Sequence, residues 1–201
     1  MSRYHIAVLP GDGIGKDVMD AAQIVLDTMA LDAEYLPGDI GWEFWKNEGN
    51  PLPDRTKQLL RETDCCLFGA ITSKPNQDAQ KELKPAFQGK GIMYASPIVQ
   101  LRQEFNLHTN IRPCKAYPGN PLNYRDDIDL VVFRENTEGL YAGVEFRPVP
   151  KPVFDALMTH KKMKAFVTTP LDEMAISCRI ITKKASQNII RDAFRYAQQH
   201  K

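Results

Sequence analysis

Unbroken apolar runs alternate along the chain with stretches of helical period. Tyr4 to Pro10, YHIAVLP, is a continuous apolar strand of the kind found in a parallel sheet covered on both faces. GDGIG follows as a turn. KDVMDAAQIVLDTMA then sets Val18, Ala22, Val25 and Met29 on one stripe at helical spacing. AEYLPG reads as a second strand and IGWEFWKNEG as a short helix ended by Gly49. DRTKQLLRETD is a helix with Asp54 as its N-cap, and CCLFGAIT is a third strand. The alternation β-α-β-α-β predicts a parallel α/β layer.

Ser73 to Gly91 is polar and carries Pro75, Pro85, Gly89 and Gly91, so a mobile loop is expected there. SPIVQLRQEF has helical period, with Pro97 suited to a first helical position. HTNIRPCKAY and IDLVVFRE are strands around the turn-rich GNPLNYRDD. Val144 to Pro170 is irregular, with Pro148, Pro150, Pro152 and Pro170. MAISCRIIT reads as a strand. KKASQNIIRDAFRYAQQH is an amphipathic helix with Ala185, Ile189, Ala193 and Tyr196 on one stripe.

One stretch raises a chemical question. VVFRENTEGLYAG begins as a buried strand and then delivers Arg134, Glu135, Asn136, Thr137, Glu138 and Tyr141. Either the strand simply leaves the core, or its end carries a site. Arg102 and Arg112 each stand beside another apolar run. Three converging guanidiniums would suit a di- or tricarboxylate, because arginine is always charged and grips carboxylates bidentately. The plainer alternative is surface ion pairing with Glu104, Asp126 or Glu135. Tyr141 is a candidate general acid, since a phenol normally stays protonated and donates when positioned; packing alone would also explain it. PGDGIG sits in a strand–turn–helix context, but its glycines are spaced G-x-G-x-G, with Lys16 where a Rossmann loop needs its third glycine. A structural βα turn and a cofactor-contacting turn of another design both remain open. Lys183 and Lys184 open a helix and read as a solvated end.

Bulk composition narrows the classes. The 201 residues are 43% hydrophobic and 25% charged, ordinary for a globular protein. A net charge of +1 gives no general pull toward nucleic acid or membranes, so neither is expected as a partner. No apolar run is long enough for a transmembrane helix, and the N-terminus lacks signal-peptide features, so a cytoplasmic location is expected. Cys65, Cys66, Cys114 and Cys178 have no metal-like or disulfide-like spacing and are expected to be free thiols. Cys65 and Cys66 read as small core residues.

LPGDGIG, LFGAITS, LRQEFNLHTNIRP and FRENTEGLYAG, in this order, resemble the β-decarboxylating dehydrogenases, the family of isocitrate, homoisocitrate and 3-isopropylmalate dehydrogenases. The resemblance runs across essentially the whole chain. It implies an α/β, isopropylmalate dehydrogenase-like two-domain fold, here incomplete because the C-terminal part of the large domain is absent. Residues 1–106 would belong to the large domain, and 107–201 to the small domain with a dimerisation arm at about 143–181. GVEF and AISCRIIT correspond to that arm, which implies a homodimer. The resemblance further implies that Arg102, Arg112 and Arg134 hold the malate half of the substrate and that Tyr141 protonates the carbon left by CO2. It assigns the substrate's distal carboxylate to Ser96, and places Thr72, Ser73 and Ile14 beside the cofactor.

The implied reaction is oxidative decarboxylation of a 2-hydroxy tricarboxylic acid with NAD or NADP and Mg2+ or Mn2+. RENTEG points to isocitrate or homoisocitrate rather than 3-isopropylmalate, and Ser96 favours isocitrate. Ile98 and Val99 make the wall more apolar and favour homoisocitrate, with 3-isopropylmalate behind it. The family's catalytic lysine, metal-binding aspartates and adenosine-binding loop would fall beyond Lys201. The 201-residue chain is therefore expected to carry the substrate-binding half, to be inactive alone, and to leave a sheet edge and an apolar face uncovered. A non-catalytic carboxylate-binding or regulatory module is the alternative.

Overall fold

A computed structural model describes residues 3–200, which divide into two compact units between Gln100 and Leu101. The first unit is built on a three-stranded parallel sheet of order β2-β1-β3, formed by β1 (Tyr4–Gly11), β2 (Ala33–Pro37) and β3 (Cys65–Ala70). Ala7 lies opposite Leu36 on one side and Cys66 on the other. Ala7 and Leu9, on the central strand, are completely buried.

Helix α1 (Gly15–Thr28) returns from the end of β1 through the glycine turn. A Cβ at Gly11, where φ is +78°, would lie 1.9 Å from the Ala70 carbonyl oxygen, and one at Gly15 would lie 2.2 Å from that of Pro10. Only glycine fits where the backbone approaches so closely. This contact also sets the rotation of α1. Gly15 and Met19 are buried, with Gln23 and Leu26 half-buried behind them. The stripe of Val18, Ala22, Val25 and Met29 expected to face the core is instead exposed, with Met29 at 61%.

Helices α2 (Trp42–Glu48) and α3 (Asp54–Glu62) follow. Gly49 ends α2 in the left-handed region, as anticipated. Asp54 is the first helical residue rather than the cap. Pro53 takes the cap position, its carbonyl accepting from Thr56 and Lys57. The expected loop at Ser73–Gly91 contains helix α4 (Asn76–Lys81). Ala79 and Leu83 bury themselves against Trp42 and Trp45, and Trp45 Nε1 donates to the Ala79 carbonyl at 2.8 Å. Two apolar residues in a polar stretch, with an indole pair to receive them, outweigh the loop-like composition. Pro97 begins α5 (Pro97–Glu104) as its sequence position suggested.

The second unit is an antiparallel ladder of β4 (Thr109–Lys115) and β5 (Asp129–Glu135), covered on one face by α7 (Lys183–Gln199). Ile111 faces Phe133, and Asn110 faces Arg134. Phe133 meets Tyr196 of α7 at a ring separation of 5.2 Å, and the predicted α7 stripe from Ala185 to Tyr196 is the covered one. β5 is not buried on both faces: Leu130 and Val132 are about half exposed. With only two strands and one helix, the ladder has one covered side.

Between β5 and α7 the chain forms a 3-10 turn (Leu140–Ala142), β6 (Glu145–Phe146), α6 (Lys151–Leu157), a second 3-10 turn (Lys161–Phe166) and β7 (Ile176–Ser177). The Pro-rich piece is thus partly helical, with Val149 and Phe154 buried. MAISCRIIT pairs only through Ile176–Ser177 with β6, plus one bridge from Ile180 to Gly139. The four cysteines are free; Cys65 is exposed rather than in the core, while burial pushes the Cys66 thiol up. No helix among the described residues is long and apolar enough to cross a membrane.

Gly15→Ala should cost about 3 kcal/mol or more, because its methyl meets two backbone carbonyls that cannot both move; urea unfolding measures it. Asp192 on α7 accepts from Thr109 Oγ1 at 2.7 Å and lies 2.9 Å from His108 Nε2. The Thr109 bond chiefly, with His108 helping, outweighs partial burial and holds its carboxyl below the usual range. A depressed carboxylate stabilises the fold above its unfolded pKa, about 4, and that contribution is lost as pH falls through the folded value. Thermal melts should show a smaller loss between pH 5 and pH 3, roughly spanning that range, for Asp192→Asn than for the parent chain.

Candidate functional site

The strand end of β5 places its side chains by simple alternation. Val131, Phe133 and Glu135 point toward α7, and Val132 and Arg134 point away. Both acids of this stretch are engaged with backbone amides and threonine hydroxyls. Glu135 accepts from the Thr137 amide and hydroxyl at 2.9 and 2.6 Å and from the Glu138 amide at 2.8 Å. Burial pushes the Glu135 carboxyl up, but these donors outweigh it and hold it below its ordinary value. Glu138 reaches the start of α7, accepting from Thr182 N and Oγ1 at 2.7 Å each, while Thr182 Oγ1 caps Ala185.

Arg102, Arg112 and Arg134 form no ion pair with a carboxylate among the described residues. Arg102, in the last turn of α5, and Arg134 both lie 5.2 Å from the centre of the Tyr141 ring, and Arg134 donates to the Tyr141 hydroxyl. Arg112 is on the same face of the ladder as Arg134. It lies diagonally across, with Asn110 directly opposite Arg134 and accepting from Arg112 Nε at 3.1 Å. Glu135, one anticipated ion-pair partner, is occupied as described, and Asp126 accepts from Asn123. Beside this group, a pocket of about 520 Å³ is lined by Arg134, Tyr141, Arg179, Ile181, Ile189 and Ile190, among others. The cluster can neutralise a polyanion while presenting a phenolic proton donor to it. Ser96 immediately precedes α5, and its carbonyl accepts from Gln100.

In the first unit, Thr72 and Ser73 follow β3, and exposed Ile14 stands at the start of α1. One buried carboxylate ties this region together. Asp12 Oδ1 accepts from Thr72 N at 2.7 Å and Oδ2 from Trp42 N at 2.6 Å. Gly41 makes room for it, since a Cβ there would lie 2.3 Å from Oδ2. The Tyr94 hydroxyl donates to the Thr72 carbonyl. The Thr72 hydroxyl itself has no hydrogen-bond partner among the described residues. No three His, Cys, Asp or Glu side chains among the described residues are gathered to hold a metal ion.

Sequence reasoning passed over Asp12, Asn110 and Tyr94, and it gave Glu138 no partner. Asp12 was signalled by its place in a glycine turn, where a short carboxylate commonly binds nearby amides. Asn110 was two residues from Arg112 on a strand and so on the same face. Glu138 and Tyr94 depend on partners distant in sequence and gave no local signal.

Residues 5–201 match the family described as isocitrate/isopropylmalate dehydrogenase. The chain is 40% identical over 196 residues to protein DlpA of Legionella pneumophila, covering 96% of this chain and 30% of that protein. It is 38% identical to the 3-isopropylmalate dehydrogenase of Methanothermobacter thermautotrophicus, covering 98% of this chain and 47% of the relative. The crystal structure of isocitrate dehydrogenase from Methylococcus capsulatus superposes with a TM-score of 0.73 at 32% identity, covering 98% of this chain and 48% of that one. The chain therefore spans about half the length of these dehydrogenases, or less of DlpA, and shares their α/β fold. By its sequence and by this fold, it belongs to the isocitrate/isopropylmalate dehydrogenase family.

Proposed function

We propose that this chain supplies the substrate-binding half of an enzyme that oxidatively decarboxylates a 2-hydroxy tricarboxylic acid, isocitrate to 2-oxoglutarate. The observation that carries this reading is the trio of unpaired arginines around Tyr141 and Asn110. Arg102, Arg112 and Arg134 bind the carboxylates of the malate core. Tyr141, held by Arg134, gives its proton to the carbon that loses CO2, and Ser96 at the head of α5 bonds the distal carboxylate. A bound NAD or NADP supplies the hydride acceptor. Ile14, Thr72 and Ser73 contact it, and Thr72 offers a free hydroxyl. Mg2+ or Mn2+ belongs to the family's chemistry and would polarise the carbonyl formed by hydride transfer. Two copies associate through the arm, at about residues 143–181.

A second substrate reading, homoisocitrate or 3-isopropylmalate, is favoured by Ile98 and Val99, which stand on α5 between Ser96 and Arg102. A non-catalytic carboxylate-binding module would use the same arginines without the tyrosine's proton.

Titration calorimetry of the 201-residue chain separates these readings. Isocitrate should bind more tightly than homoisocitrate and 3-isopropylmalate, and the reverse order would move the assignment to the second reading. Arg112→Ala should weaken binding about 10- to 100-fold, the usual worth of a charge-assisted bond. Tyr141→Phe should change affinity far less, since its role lies in proton transfer. With NAD or NADP and Mg2+, the chain alone should form no reduced nucleotide, and turnover would overturn the half-enzyme reading.

A further inference from the structure

The Thr72–Ser73 segment is gripped from two sides. Its Thr72 amide donates to Asp12 and its Thr72 carbonyl accepts from the Tyr94 hydroxyl at 3.2 Å. The Ser73 hydroxyl lies 3.1 Å from the same phenol oxygen. Both backbone polar groups of Thr72 are thus satisfied by side chains, while its own hydroxyl stays unpaired near Gly13; a Cβ on Gly13 would sit 3.9 Å from it. Tyr94 is fixed in turn. Its ring stands edge-on to Trp42 and Trp45, at 5.1 and 5.3 Å between centroids, and its amide donates to Asn76 Oδ1 at 2.9 Å. Burial, with the Asp12 charge behind it, pushes the phenol up against the opposing bond to Ser73, so it remains a donor.

We propose that Tyr94 is a positioning residue: its hydroxyl sets the Thr72 carbonyl and Ser73 so that the Thr72 hydroxyl meets a bound nicotinamide dinucleotide in a fixed orientation. The proposal rests on the reading of Thr72 and Ser73 as cofactor contacts. Its physical content is pre-organisation. A segment already ordered in its binding geometry loses less freedom when the ligand arrives.

The test is NADH titration of the 201-residue chain and three variants, followed by nucleotide fluorescence, with melting temperature measured in parallel. Tyr94→Phe keeps the ring between the two indoles and removes only the hydroxyl. It should weaken NADH binding about 3- to 10-fold, the range of a single hydrogen bond, and shift the melting temperature only slightly. Thr72→Val removes the proposed contact while keeping the branched shape. The double variant should bind no more weakly than Thr72→Val alone, because the phenol acts only through Thr72. Additive losses, or a Tyr94→Phe affinity equal to the parent's while Thr72→Val is weakened, would overturn the positioning role and leave the cofactor reading standing. Absence of NADH binding by the parent chain, or a Thr72→Val variant that binds as well as the parent, would overturn the cofactor reading and the positioning role with it.

Discussion

The second unit depends on the two-residue period of β5. Phe133 faces α7 and packs on Tyr196, and its neighbour Arg134 faces the other way onto Tyr141. A slip of one residue in the β4–β5 register would exchange these faces. The guanidinium would then lie beneath α7, where burial costs several kcal/mol unless the charge is well paired. Asp192 holding Thr109 of β4 works in the same direction, because it fixes the second strand to the same helix. The apolar contact on one face therefore fixes the chemistry on the other.

The distribution of charges has a shared logic in both units. Asp12, Glu135 and Glu138 are all turned toward backbone amides or a capping hydroxyl rather than toward cations. They hold loops in place, and in the second unit the guanidiniums of Arg102, Arg112 and Arg134 are left uncompensated. A chain of net charge +1 can in this way present a concentrated positive face without any global excess. The answer to the polar run after Phe133 is accordingly divided: its two acids are structural, and its arginine and tyrosine face outward.

Most of the layer order was legible because strands and helices leave strong periodic signals: β1, β2 and β3, the α7 stripe and the Pro97 helix start all follow from them. The α1 stripe misled because amphipathic period gives a face but not its direction; the Gly15–Pro10 and Gly15–Ala70 contacts decide that. α4 was hidden because its burial depends on two tryptophans some thirty residues earlier. The arginines could be singled out as residues beside apolar runs. Their unpaired state could not, since it follows from where Glu135 points, and that is settled by the loop's own amides.

The excursion from Gly139 to Ile180 begins and ends at nearly the same point, closed by the bridge between these two residues and by Glu138 on Thr182. Such a closed loop is thermodynamically insulated. Doubling its length adds only about 0.6 kcal/mol of closure entropy, and the strain of any insertion stops at the staple. The segment beyond Gly143 can therefore lengthen, shorten or change sequence while Glu138 on one side and the first turn of α7 on the other keep their places. Two hydrogen bonds to one threonine thus separate the tolerance of the excursion from the placement of the strand end and of α7.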